Sequence, residues 1–164
     1  AGALVINHIE NLGYDKALSS GFSEAIRLQY EYIITLDADG QHDPSLLLEM
    51  VGALEAEAAM VLGVRSSKAR WAEHVFAAYT RVRYGIFDPL CGMKGYRRSL
   101  YESVGRFDSY NSIGTELMLR GVAAGAVFKQ VHFQVRERAD APRFGRAVSA
   151  NIRILRSLFI WLSK

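Results

Sequence analysis

Short apolar runs alternate with longer amphipathic segments along this chain, and that alternation sets the first expectation about its fold. Ala3 to Asn7 (ALVIN) is short and β-branched, Tyr32 to Leu36 (YIITL) is the next run, and Ala59 to Val64 (AMVLGV) the third. Each reads as a strand. Between the first two, Asn11-Leu12-Gly13 reads as a turn and about Lys16 to Gln29 as a helix. Between the second and third, Asp37 to Pro44 bounds the strand, and Ser45 to Ala56 reads as a helix with Pro44 at its start. Strands alternating with helices predict an α/β fold with an open, mostly parallel sheet, in which ligands gather beyond the carboxyl ends of the strands. Asp37 and Asp39 stand at one of those ends.

Beyond Gly63 the pattern loosens. A helix is expected from about Ala72 to Tyr84, then an irregular DPLCGMKGYRRS, then a helix from about Gly114 to Ala124. Val127 to Val135 reads as one bent strand or two, and Arg136 to Gly145, polar and punctuated by Pro and Gly, as a loop. The end, SANIRILRSLFIWLSK, reads as a helix whose apolar face is interrupted by Arg153, Arg156 and Lys164. Such a helix suits a membrane interface or plain packing against the domain.

Composition narrows the class. With 164 residues, half of them hydrophobic, the chain can bury a core of its own, roughly 70% of its unfolded surface by size scaling. A net charge of +3 argues for no particular partner, and none is expected to be nucleic acid. The single cysteine, Cys91, excludes an internal disulfide framework and a Cys-rich zinc site, and fits a reducing compartment. No apolar stretch approaches the roughly 20 residues that span a bilayer, and AGALVINHIE lacks the basic lead of a signal peptide.

The chemistry concentrates in TLDADGQHDP, Thr35 to Pro44. Asp37 and Asp39 are two positions apart, so in an extended or turning backbone both carboxylates can reach one ion. Hard oxygen ligands of this kind select Mg or Mn, which usually also bind substrate phosphates. A calcium loop counted from Asp37 would need glycine sixth and glutamate twelfth, where His42 and Leu48 stand. A haloacid-dehalogenase-like phosphatase, with Asp37 as nucleophile, would want a hydroxyl or β-branched residue where Gln41 stands.

With its flanks, the chain resembles the family 2 glycosyltransferases of GT-A fold, in the branch of polyprenyl (dolichol) phosphate mannose and glucose synthases. HIENLGYDKALSSGFSEA resembles that branch's N-x-G-x-x-x-A-x-x-x-G segment, and YIITLDADGQHDPSLL its strand plus DxDxQHxP. VLGVRSS resembles the following G-x-R stretch, and DPLCGMKGYRRSLYESVG the D-x-x-(S/C)-G-(F/M)-(R/K)-x-Y segment. GTELMLRGVAAGAVFKQVHFQVRERADAPRFG resembles the late E-L-x-x-R-x-x-x-G helix, strand and basic loop. The family's opening strand-helix-strand unit, with its Pro-x-(Tyr/Phe)-Asn-Glu motif, has no counterpart here. The resemblance therefore implies a GT-A domain over residues 1–145, partial at its N-terminus, and an amphipathic helix over 146–164.

It also implies roles. Asp37, with Ala38, would contact the donor nucleotide or metal, while Asp39, the residue most directly tied to catalysis, and Gln41 would hold a divalent ion, Mg or Mn, on the donor diphosphate. Arg65, Arg138 and Arg143 would grip diphosphate or acceptor phosphate with forked guanidinium groups. Asn11 and Gly13 would shape a loop near the nucleotide. Asp88 and Cys91 would face the acceptor, Cys91 as a small lining residue and not a nucleophile. Glu116 would lie near the sugar, or cap its helix and pair with a cation. The implied reaction moves a hexose, with inversion, from a GDP- or UDP-sugar to a polyprenyl phosphate at the cytoplasmic face of a membrane. Alternatives are transfer to a glycan, a non-catalytic nucleotide-sugar-binding fragment, and the phosphatase.

Overall fold

A computed structural model of the chain describes residues 2–37, 40, 42–135 and 147–163. Its elements run α1 (Tyr14–Arg27), β1 (Tyr32–Thr35), α2 (Leu46–Ala56), β2 (Met60–Arg65), α3 (Trp71–Tyr84), β3 (Lys94–Arg97), α4 (Arg98–Val104), α5 (Glu116–Ala123), β4 (Phe128–Phe133) and α6 (Ala147–Leu162). The four strands form one sheet in the order β1-β3-β2-β4. β2 and β4 pair in parallel, while β3 runs antiparallel to both β1 and β2. Three strands thus share a direction and one opposes them, so the α/β fold holds and its sheet is mixed.

β2 shows why the core has two halves. Successive side chains of a strand point to opposite faces, and Met60 and Leu62 enter one cluster with Phe22, Phe76, Tyr96, Leu117 and Leu158, while Val61 enters another with Met50, Leu54, Met93 and Val131. Helix α2 covers the second face; α1, α3, α4, α5 and α6 supply the first. Phe22 anchors α1 by stacking on Phe107 at 4.6 Å and on Tyr101 at 5.3 Å between ring centroids. Helix α6 joins the same core through Ile154 and Leu158, and its Asn151 Oδ1 accepts the Ala72 N–H at the start of α3.

Gly63, in the middle of β2, has no room for a side chain. A Cβ there would lie 2.8 Å from the Met93 carbonyl oxygen and 3.0 Å from both Cys91 Sγ and Phe133 Cε1. The Met93 oxygen cannot retreat, because it accepts the Gly63 N–H at 2.9 Å. Gly63→Ala is therefore expected to lower unfolding free energy by about 1–3 kcal/mol, the cost of overpacking a close-packed core. Urea denaturation measures it, and a stability equal to the parent's would show that β2 and the segment entering β3 can part there.

Two expectations change. Ala3 to Asn7 forms no strand: Leu4, Val5 and Ile6 are 65%, 71% and 46% exposed, and no described strand pairs with them. β-branched side chains favour a strand only when a ladder satisfies the backbone and a layer covers one face, and neither reaches this stretch. DPLCGMKGYRRS, expected irregular, contributes β3 and starts α4. Its glycines and its lysine masked a strand in which a Cβ at Gly95 would come within 3.2 Å of Leu54 Cδ1. Val127 to Val135 resolves as the single strand β4.

Candidate active site

The carboxyl end of β1 meets the segment leading into β3, and that crossing builds the site. Thr35, the last residue of β1, is buried and donates its hydroxyl to the Gly92 carbonyl at 2.6 Å. The Lys94 N–H donates back to Thr35 Oγ1 at 3.2 Å. Two residues on, the half-buried Asp37 donates its N–H to His42 Nδ1 at 3.1 Å, which puts the proton of the neutral imidazole on Nε2. His42 is itself buried, edge-on to Phe133 at 5.5 Å. Gly40, between Asp37 and His42 in sequence, has a φ of 79° in the left-handed region. Asp43 Oδ1 then accepts the Ser45 N–H at 3.0 Å, an Asx turn that leads the chain into α2.

The Asp37 carboxylate lies against the Cα of Gly92. A Cβ at Gly92 would be 2.6 Å from Asp37 Cγ and 2.7 Å from Oδ1, and closer still to Oδ2. The phenol of Tyr14, the first residue of α1, is held above the ordinary range by burial, then by the charges of Asp37 and Asp15. Asn11 Oδ1 accepts the Gly13 N–H at 3.0 Å and Gly13 has φ 85°, so the Asn-x-Gly turn is what delivers Tyr14. Lys94 is 3% exposed and donates Nζ to the Gly114 carbonyl at 3.0 Å. Burial pulls its ammonium down to about 8 against the pull of Cys91, Asp88 and Asp37.

Tyr14, Gly92 and Lys94 had no expected role. Tyr14 was signalled only by its place directly after a turn glycine, whereas Gly92 and Lys94 stand at the G and (R/K) positions of the D-x-x-(S/C)-G-(F/M)-(R/K)-x-Y segment, with no role attached to either. Ala38, Asp39, Gln41, Arg138 and Arg143 lie outside the described residues. Among the described residues no three His, Cys, Asp or Glu side chains gather as a metal site. Asp37 is the described member of the expected set, with oxygen donors of the kind Mg or Mn takes, lying where a side chain at Gly92 would be.

Arg65 departs from its expected role. Its Nε and Nη2 donate to the Asp88 carboxylate at 2.8 and 2.9 Å, Nη2 also meets Glu73 Oε2 at 2.9 Å, and Glu73 Oε1 accepts Arg70 Nη1 at 3.2 Å. Burial opposes the Arg65 charge, yet the hydrogen bonds and charges of Asp88 and Glu73 outweigh it and hold the guanidinium above its ordinary value. The fork expected on a diphosphate is spent on carboxylates. Asp88, 1% exposed, ties the end of β2 to the segment before β3 and does not face open space. Cys91 is fully buried among Val61, Met93 and Val131, and burial, then the Asp88 charge, pushes its thiol up to about 11. It is core packing, and no thiolate forms near neutral pH.

Glu116 takes the structural of its two readings. Fully buried, it accepts the Ser109 N–H at 2.6 Å and Arg120 Nε at 2.7 Å. The Ser109 bond ties the first turn of α5 to the segment before it, and the Arg120 bond lies within the helix.

Residues 1–105 match the model of the family described as glycosyl transferase family 2. A polyprenol monophosphomannose synthase of Mycolicibacterium smegmatis is 30% identical over 112 residues, 61% of this chain and 42% of that protein. Among solved structures, a mycobacterial protein superposes with a TM-score of 0.71 at 19% identity, over 95% of this chain and 52% of its own. Glucosyl-3-phosphoglycerate synthase from Mycobacterium tuberculosis, in complex with Mn2+ and UDP-glucose, gives 0.69 at 18% identity, over 91% and 53%. The chain spans about half the length of these relatives, or somewhat less.

Proposed function

Because the chain belongs to glycosyl transferase family 2, we propose that it carries the core of an inverting hexosyltransferase, which moves a sugar from a GDP- or UDP-hexose to a polyprenyl phosphate with Mg or Mn. One observation carries the reading: the Asp37 carboxylate lies just past β1, in the space left by the missing side chain of Gly92, and Asp39 and Gln41 follow it in the sequence. The polyprenol monophosphomannose synthase relative favours the lipid acceptor. The complexes of glucosyl-3-phosphoglycerate synthase with Mn2+ and UDP-glucose, and with Mg2+ and UDP, favour the donor class and the ion.

The balance of the reaction is simple. An oxygen of the acceptor phosphate attacks C1 of the sugar from the face opposite the leaving group, and the C1–O bond to the nucleoside diphosphate breaks with its electron pair leaving on the diphosphate. A phosphate acceptor is already anionic near neutral pH, so no strong general base is required. Asp37, Asp39 and Gln41 would hold the divalent ion, which when bound would supply charge stabilisation for the departing diphosphate. Arg138 and Arg143 add forked donors to the diphosphate or the acceptor phosphate. Asn11 and Gly13 shape the donor side, and Asp88 and Arg65 brace it from behind.

Helix α6 supports a membrane-surface location. Val148, Ile152, Phe159 and Leu162 are 70%, 60%, 64% and 52% exposed, and their spacing puts them on one face, opposite the residues that enter the core. Arg153 and Arg156 flank that face. Among the described residues no helix is long and apolar enough to cross a membrane.

The test uses the complete protein with radiolabelled GDP-mannose or UDP-glucose, offered polyprenyl phosphate, 3-phosphoglycerate or a glycan in separate reactions. Label is expected in the organic phase with the polyprenyl phosphate, lost on chelation and restored by Mn2+. Label confined to a water-soluble product moves the reading to another acceptor of the family, and release of inorganic phosphate moves it to the phosphatase.

A further inference from the structure

We infer that Gly92 is a positioning residue for Asp37: the absent side chain at 92 is the space in which the metal-binding carboxylate lies. The inference rests on the proposed function and assigns a role to a residue outside the expected ligand set.

A glycine can be required for its backbone or for its space. Gly92 is not among the glycines with positive φ, so its conformation is open to any L-residue. The demand is for space, and it is specific. All three atoms closest to a Cβ at 92 belong to the Asp37 carboxylate: Oδ2, then Cγ at 2.6 Å and Oδ1 at 2.7 Å. Gly63 offers the contrast. There the nearest atom is a backbone oxygen at 2.8 Å, so a side chain strains the core. At 92 the obstacle is the far end of a side chain that can rotate away, so a methyl group leaves the fold standing and turns Asp37 out of its place.

The crossing is also held from below. The Thr35 hydroxyl on the Gly92 carbonyl and the Lys94 amide on Thr35 Oγ1 fix the two strands at this point. Gly92 therefore cannot shift to make room, and Asp37 is the group that moves. An ion ligand displaced by the width of a methyl group loses its geometry, because Mg-type ions demand near-ideal placement of their oxygens.

Gly92→Ala in the complete protein is expected to weaken Mn2+ binding, measured by calorimetry in the presence of nucleoside diphosphate, by roughly 10–100-fold, the range seen when the supports of a ligand are changed. Its thermal midpoint should stay with the parent's. The discriminating measurement is the pair: in an Asp37→Ala background, Gly92→Ala should change Mn2+ affinity no further, because it acts through Asp37. Additive losses in the two backgrounds overturn the inference, as does an unchanged affinity in the single variant. Failure to fold in both backgrounds overturns it too, since the space would then serve the fold and not Asp37. If the parent protein binds no Mn2+, the proposed function fails first, and the inference with it.

Discussion

Asp88→Ala is expected to remove about 3–5 kcal/mol of unfolding free energy, the cost of leaving a largely buried charge without its partner. Asp88 is 1% exposed and Arg65 20% by side chain, so solvent screens this pair little. The carboxylate receives Arg65 Nε, Nη2 and backbone N–H, and all three donors lose it together. Glu73 remains beside Arg65 and retains part of the stabilisation, which places the expected loss nearer the lower end. Urea unfolding with a two-state fit gives the number, and a loss below about 1 kcal/mol would mean that water enters and solvates the arginine. The same variant separates two roles for Asp88. If it braces the site, activity per folded molecule in the complete protein should fall only modestly. If it touches the acceptor, KM for the lipid should rise while the unfolding curve hardly moves.

The contrast between Arg65 and Asp37 explains what could be read from the chain and what could not. Both lie at carboxyl ends of strands, where an α/β sheet gathers its ligands, and the strands were legible because Tyr32 to Leu36 and Ala59 to Val64 are apolar runs bounded by turn residues. The resemblance of VLGVRSS to the family's G-x-R stretch, together with its place after a strand, made Arg65 a phosphate ligand. Its carboxylate partners come from 8 and 23 residues away in the sequence, and nothing local in VLGVRSS announces them. Lys94 went unseen for a related reason. A lysine beside two glycines reads as loop, whereas in the fold it stands on β3, on the same face as Tyr96, with its charge directed to the Gly114 carbonyl. Ala3 to Asn7 erred the other way: its side chains favour a strand, but a strand exists only with a neighbour. The Asn-x-Gly turn and the Asp43-Pro44 helix start were legible because both are local, each closed by a side chain bonding a backbone amide two residues on.

Asp39→Ala in the complete protein should reduce transfer by about a thousandfold, equivalent to some 4 kcal/mol of transition-state stabilisation, with no change in thermal midpoint. The size follows from the chemistry assigned to the ion. As the C1–O bond breaks, charge accumulates on the diphosphate, and a cation held there is worth several kcal/mol at that moment. Asp39 is the second oxygen of the Asp-x-Asp pair, two positions from Asp37, so its removal halves the carboxylate charge offered to the cation. Asp39→Asn keeps an oxygen but not the charge and should fall between parent and alanine variant, with part of its rate recovered at raised Mn2+. Gly92→Ala should mimic that intermediate behaviour, because it displaces Asp37 and leaves Asp39 in the chain. The order parent, Gly92→Ala or Asp39→Asn, Asp39→Ala, measured at several Mn2+ concentrations, ties the carboxylates and the glycine to one ion. Full activity of Asp39→Ala with chelator present would break that tie, and would leave Asp37 to act on the donor without metal.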